Sequence, residues 1–360
     1  MDYIVQVSNI SKNYGDVRAI EDVSFNVREG EFFALLGPSG CGKTTILRIL
    51  GGFIEQDSGI VLIDGKDMKG IPPNQRNTSM VFQDLALFPH MDVRDNITYG
   101  LRKRGTVKSI IEEKLEKMVN ILGLSGFQKR AISALSGGQK QRVALARSLI
   151  LEPEILLLDE PLASLDKKLR IAMQDELKDI QRKVGTTFLY VTHDQGEALT
   201  MSDTIAVMTQ GKIIQTGSPH QIYNRPDNIF TADFIGAGNF IPIVSIEQKG
   251  DLLELTAEKG GRLVSYYEPA RDGQGPLDAV FFIRPEKLRI GMGSEGGANV
   301  FSGTIKSSVF EGPDIRLEVD SPQLGMVRIE IKNDGTPPRF KRYENITFYW
   351  DPKDGMVLYK

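Results

Sequence analysis

Residues Gly37–Pro38–Ser39–Gly40–Cys41–Gly42–Lys43–Thr44 fit the spacing GxxxxGK[ST]. Glycines let successive backbone N–H groups curl around phosphate oxygens, where a Cβ would intrude. A helix beginning at this point adds the positive potential of its N-terminus. In such a loop the Lys43 ammonium reaches the β- and γ-phosphates of a nucleotide, and the Thr44 hydroxyl is offered to Mg2+. A glycine turn that merely links two elements is the plainer alternative, and the flanking apolar strand and helix-like stretch 45–53, opening at Thr45, weigh against it. Further along, Ile155–Leu156–Leu157–Leu158 deliver Asp159 and Glu160 to the end of an apolar strand. Asp159 suits Mg2+, through water, and Glu160 is placed to polarise an attacking water. Alone, this acidic pair reads equally as a solvated loop; the phosphate loop upstream decides for chemistry.

These residues need rigid elements behind them. Short continuous apolar runs, Phe32–Phe33–Ala34–Leu35–Leu36, Ile155–Leu156–Leu157–Leu158, Phe188–Leu189–Tyr190–Val191 and Ile205–Ala206–Val207–Met208, read as strands of a parallel sheet buried on both faces. Between them, Leu169, Met173, Leu177, Ile180 and Val184 recur at helical spacing, as do Ile111, Leu115, Met118 and Leu122. Strands alternating with helices predict an α/β layered domain. Near Gly236–Ala237–Gly238–Asn239 the helical periodicities end. Short runs such as Arg262–Leu263–Val264–Ser265–Tyr266, Ile315–Arg316–Leu317–Glu318–Val319 and Val327–Arg328–Ile329–Glu330–Ile331 follow, punctuated by Gly, Pro, Asn and Asp, as in a small β-barrel or sandwich. The expected domains are 1–235 and 236–360.

The 360 residues are 41% hydrophobic and 25% charged, which suits two globular domains. A net charge of −3 disfavours a broad basic surface, and with it nucleic acid as a partner. Cys41 is the one cysteine, so no intramolecular disulfide can form. The N-terminus lacks the pattern of a signal peptide, and no run approaches the ~20 apolar residues of a membrane span. Any membrane role is therefore expected to go through partner chains.

Leu135–Ser136–Gly137–Gly138–Gln139, with the phosphate loop and the Asp159–Glu160 strand, resembles the signature of ABC transporter ATPases in order and spacing along residues 1 to about 235. Gln83 in Val81–Phe82–Gln83–Asp84 resembles the family's glutamine loop. Ser164–Leu165–Asp166 resembles its aspartate loop, His193 in Thr192–His193–Asp194 its switch histidine, and Tyr14 its adenine-stacking aromatic. Ala163–Ser164 reverses the family's Ser–Ala order, which leaves open which residue makes the cross-dimer contact. The resemblance implies an α/β P-loop ATPase domain with a helical subdomain, and a homodimer that sandwiches two ATP molecules. Each phosphate loop would face the partner's Ser136, Gly137, Gly138 and Gln139. Glu160 would be the general base, His193 would bind the γ-phosphate, and Gln83 would join Thr44 and Asp159 around Mg2+. Asp166 would lie at the same nucleotide interface. Alkylation of Cys41, inside the loop, is expected to block ATP binding.

Residues Ile283–Arg284–Pro285–Glu286–Lys287–Leu288 and Asn299–Val300–Phe301–Ser302–Gly303–Thr304–Ile305 resemble the OB-like (TOBE) accessory domain of bacterial importers. That implies a subunit on the cytoplasmic face of the inner membrane, beneath two permease subunits and indirectly served by an extracytoplasmic solute-binding protein. Ala86–Leu87–Phe88–Pro89–His90–Met91 lies where the family receives a permease coupling helix. The stretch from Asn224–Arg225–Pro226 to Phe240 looks closer to polyamine and ferric-ion importers than to sugar importers. Spermidine/putrescine thus ranks first, with ferric ion, sugar or phosphonate as alternatives. A non-transport ATPase of the same class, acting on nucleic acid or ribosomes, is the competing reading. Its members carry coiled coils or zinc insertions, or fuse two heads, and none of these features is read here.

Overall fold

The computed structural model describes residues 3–163, 165–268, 278–291, 299–333, 335 and 340–359. The chain divides into two compact units, Met1–Ile222 and Tyr223–Lys360. The first begins with β1 (Tyr3–Tyr14), β2 (Val17–Arg28), β3 (Phe32–Leu36), α1 (Lys43–Leu50), β4 (Ser58–Ile63), β5 (Lys66–Asp67) and β6 (Thr78–Val81). Helices α2 (Val93–Lys103), α3 (Lys108–Ile121) and α4 (Gly137–Leu149) come next. Then follow β7 (Ile155–Asp159), α5 (Lys167–Val184), β8 (Thr187–Thr192), α6 (Gln195–Met201), β9 (Thr204–Thr209) and β10 (Lys212–Gly217).

The central sheet runs β10-β9-β3-β8-β7-β6, parallel except for the β9–β10 hairpin. Strands β3, β7 and β8 are buried along their whole length because alternate side chains serve cores on opposite faces. Phe32, Leu156, Leu158, Phe188 and Tyr190 enter one core, with the helices α2–α5. Phe33, Leu35, Leu157, Leu189 and Val191 enter the other, with α1. The periodicity read from Leu169 to Val184 is α5, with Met173, Leu177 and Ile180 buried. Ile111, Leu115 and Met118 line the inner face of α3, and Leu122 closes its end.

A second, antiparallel sheet, β2-β1-β4-β5, has no counterpart in the sequence reading. Register shifts interrupt β1 on both sides of Ile10, whereas β2 alternates buried and exposed residues from Val23 to Arg28. Asn9 and Asp22 take positive φ there and bond to each other, Nδ2 to Oδ1, at 2.6 Å. Such bulges break a period-two pattern locally.

Helix α7 (Pro219–Asn224) reaches the division, and the second unit continues with α8 (Ile229–Ile235). Its strands are β11 (Asn239–Lys249), β12 (Leu252–Ala257), β13 (Arg262–Tyr266), β14 (Ala279–Ile283), β15 (Arg289–Ile290), β16 (Asn299–Phe310), β17 (Asp314–Ser321), β18 (Gly325–Lys332), β19 (Asn345–Trp350) and β20 (Gly355–Tyr359). They form two five-stranded antiparallel sheets, β13-β12-β11-β14-β20 and β15-β19-β16-β17-β18, around one core. Phe301 and Trp350 stack in that core with ring centroids 5.2 Å apart. Composition changes near residue 236, whereas the contacts divide after Ile222. The reason is α8, helical in pattern but packed through Ala232 on Phe282 and Leu358 of the β unit. Arg284 Nη1 also donates to the carbonyls of Ala232, Gly236 and Ala237. Among the described residues, no helix is long and apolar enough to cross a membrane.

Candidate active site

The phosphate-loop residues leave β3 at the carboxyl edge of the parallel strands, where open α/β sheets bind ligands. Gly42 has φ +107°, and a Cβ there would stand 2.6 Å from the Ala19 carbonyl oxygen, so only glycine serves. Helix α1 then starts at Lys43 with no side-chain cap, leaving its first N–H groups for another acceptor. Lys43 is 4% exposed, and its Nζ donates to the carbonyls of Gly37 (2.7 Å) and Pro38 (3.0 Å). Thr44 Oγ1 donates to Asp159 Oδ1 at 3.0 Å, tying α1 to the end of β7. Ser39, Gly40, Gly42, Lys43, Thr44 and Thr45 line a cavity of about 370 Å³, together with Gln83, Asp159 and Glu160. Burial pushes the Asp159 carboxyl above its ordinary value. The Thr44 hydrogen bond works the other way, and the Glu160 charge adds to the rise.

Glu160 has φ +44°, a conformation that costs a non-glycine residue energy and persists only where its surroundings impose it. Its N–H donates to Val191 O and its carbonyl accepts from Ala163 N. Its Oε2 lies 3.0 Å from His193 Nδ1. The turn carrying His193 is braced by groups the sequence reading passed over. Glu197 is buried, and its Oε2 accepts from the Tyr190 hydroxyl (2.7 Å) and Thr192 Oγ1 (2.6 Å). Burial, reinforced by the Glu197 charge, pushes the Tyr190 hydroxyl well above its ordinary pKa. Asp194 caps α6 by accepting from Glu197 N. The Asp-x-x-Glu spacing at 194–197 was the available signal for that cap.

Several other expected residues stand outside the cavity lining. Tyr14 is 47% exposed at the end of β1. Ser136 caps α4 in a capping box with Gln139, with Gly137 exposed and Gly138 buried behind it. Asp166 caps α5, accepting from Leu169 N. Ser164 lies outside the described residues. The position of Cys41 weighs against the alkylation expectation: its side chain is buried in the core beneath the loop, and burial raises its thiol pKa despite the Lys43 ammonium nearby.

The loop after Gln83 is half-buried to exposed, but its backbone is tied down. Leu85 and Ala86 take positive φ, and their carbonyls accept from Arg147 at 2.8 and 2.6 Å. Buried Asn96 bonds both the N–H and the carbonyl of Phe88. The Phe88 ring lies 4.6 Å from Tyr99, centroid to centroid, and 5.3 Å from the Arg147 guanidinium carbon.

Uncapped helix N–H groups, a lysine and small residues suit the phosphates of ATP. Thr44, Asp159 and Gln83 offer hard oxygen donors, which suit Mg2+. Among the described residues, no cluster of three His, Cys, Asp or Glu is placed to hold a metal unaided. A Mg2+ ion here would need phosphate oxygens as co-ligands, as nucleotide-bound Mg2+ does.

Residues 20–163 match the ABC transporter family model, and residues 281–358 match that of the TOBE domain. Together with the extended similarity below, this means the chain belongs to the ABC transporter ATP-binding family, a class of ATPases. The spermidine/putrescine import ATP-binding protein PotA of Rubrobacter xylanophilus is 44% identical, over 98% of this chain and 93% of its own. That of Acetivibrio thermocellus is 43% identical, over 99% and 97%. A solved structure of cbiO1 from Clostridium perfringens, part of the ABC transporter complex cbiONQ, is 30% identical with a TM-score of 0.58, covering 62% of this chain and 91% of that one.

Proposed function

We propose that this chain is the ATP-hydrolysing subunit of an importer for spermidine and putrescine. In this reading it works as a homodimer at the cytoplasmic face of the inner membrane, beneath two permease subunits. An extracytoplasmic binding protein delivers the solute to them. Similarity along nearly the whole chain to two PotA proteins supports the cargo. The catalytic reading is carried by one observation, the Glu160 carboxylate held against His193 beside the phosphate-loop cavity.

The backbone N–H groups of residues 39–45 hold the phosphates, and Lys43 turns from the loop carbonyls to the β- and γ-oxygens. Thr44, Gln83 and Asp159, the last through water, would hold Mg2+, which when bound neutralises charge developing on the phosphates. Glu160 takes a proton from the water whose oxygen attacks the γ-phosphorus. The bond to the β–γ bridging oxygen breaks, and ADP leaves with that electron pair. His193 orients Glu160 and the γ-phosphate, and Tyr14 stacks on adenine. In this reading Ser136, Gly137, Gly138, Gln139 and Asp166 act toward the partner copy's nucleotide.

Glu160→Gln is expected to bind Mg-ATP with unchanged affinity and to lose about 10²–10⁴-fold in turnover, the range for a positioned base. Wild-type turnover would remove the assignment. Uptake of labelled spermidine and putrescine should disappear from cells lacking the gene and return with the wild type but not with Glu160→Gln. Uptake that persists in the deleted cells would remove the cargo.

A further inference from the structure

Three carboxylates converge beside the His193 turn. Glu160, Asp194 and Glu197 line a small cavity of about 30 Å³ with Ala163, Thr192, His193 and Arg170. Glu197 is buried, so its charge needs compensation beyond two hydroxyl donors. Among the described residues, Arg170 is the one Lys or Arg within 4 Å of the Asp194 or Glu197 carboxylates. Its three nitrogens face three different groups. Nη1 donates to Asp194 Oδ2 at 3.4 Å, Nε stands 3.9 Å from Glu197 Oε1, and Nη2 donates to Leu165 O at 3.0 Å. Nε is buried without a hydrogen-bond partner, so this fork has contacts left to tighten. Long bonds of that kind are common before a substrate is bound.

We propose that Arg170 is a positioning residue for ATP hydrolysis, locking the Thr192–His193–Asp194 turn to the loop at Leu165 and so holding His193 against Glu160. This rests on the catalytic reading of Glu160 and His193. Without the guanidinium, Asp194 and Glu197 repel each other across one helical turn, and both repel Glu160. The Leu165 carbonyl loses its tie to the turn. Lysine keeps the charge but not the planar fork that bonds Asp194 and Leu165 while facing Glu197.

The test uses the full chain with ATP and Mg2+. Arg170→Met is expected to lower kcat about 10–100-fold, as misplacement of a catalytic group by roughly 1 Å does. The KM for ATP should stay within about threefold, because no phosphate-loop contact changes. Arg170→Lys should recover part of that turnover. The chain has three histidines, so imidazole NMR signals can be assigned by substitution. In Arg170→Met the His193 signals should shift while those of His90 and His220 stay. In a Glu160→Gln background, Arg170→Met should add no further loss, since both changes act on the same pair.

A folded Arg170→Met protein with wild-type kcat would overturn the proposal. So would a His193 signal that stays put while kcat falls, or an equal loss added on top of Glu160→Gln. Should Arg170→Met fail to fold, Arg170→Lys with full turnover and unmoved His193 signals would also overturn it. Failure of the underlying reading shows separately, as wild-type turnover in Glu160→Gln alone.

Discussion

Two glycine-rich turns in the first unit each lead into a helix, and they are built in opposite ways. Residues 37–42 enter α1 through a left-handed Gly42, with no side-chain cap and a nearly buried Lys43. Residues 135–138 enter α4 through Ser136 in extended backbone, and the Ser136–Gln139 capping box satisfies two N–H groups. The first turn leaves the opening N–H groups of α1 without a side-chain cap beside a cavity, as an anion site requires. The second spends donors on its own side chains while Ser136 and Gly137 face outward. Similar composition thus yields an uncapped helix start beside a cavity in one place and a self-capped, outward-facing one in the other. Capping and burial make the difference.

Lys43→Met tests the first turn most severely. Truncating a buried charged group that holds its ligand typically costs about 2–5 kcal/mol, and ATP affinity by titration calorimetry should fall accordingly. Undiminished affinity would break the contrast at its root. For the second turn, Ser136→Ala should destabilise the fold by about 1 kcal/mol as a lost cap. It should leave ATP affinity in dilute monomer unchanged and lower turnover by no more than about tenfold, one hydrogen bond's worth. A weakened monomer affinity would place Ser136 in its own chain's site.

Asp159→Asn probes what the walled cavity costs. The Asp159 carboxyl is raised above its ordinary value of 3.8. Its contribution to stability is therefore fully present below that value and is lost as pH rises through the raised one. At neutral pH the charged form opposes folding, so Asp159→Asn should raise the melting temperature of the nucleotide-free protein. A gain of about 1 kcal/mol corresponds to roughly 2–4 °C in a unit of this size. The gain should vanish near pH 3. A fall in melting temperature at pH 7 would mean that the Thr44 contact outweighs the burial. Last, iodoacetamide should leave native ATP affinity unchanged and label Cys41 only after unfolding, as mass spectrometry would read. Rapid native labelling would place the thiol at the loop surface.

The phosphate loop, the strand ending at Asp159 and Glu160, and α5 were legible because each is local. A glycine spacing, a run of apolar residues and a four-residue recurrence all act within one element. Strands β1 and β2 went unread: bulges at Asn9 and Asp22 break the alternation there, although Val23, Phe25 and Val27 still alternate with exposed neighbours. Glu197 and Arg170 escaped for another reason. A buried carboxylate is recognisable by what surrounds it, and Tyr190, Thr192 and Arg170 come from two strand positions and a separate helix.

By itself the sequence determined that a phosphate-binding loop precedes a helix, that a carboxylate pair ends a buried strand, and that an all-β segment follows. Backbone preferences and apolar periodicity act over a few residues, so the order of types suffices for these. The tertiary structure alone decided that Cys41 turns into the core and that Lys43 folds onto its own loop. It also brought His193 to 3.0 Å from Glu160, and left 136–139 out of the cavity lining. Those outcomes depend on which distant elements the parallel sheet places side by side, and on which polar groups burial forces to find partners.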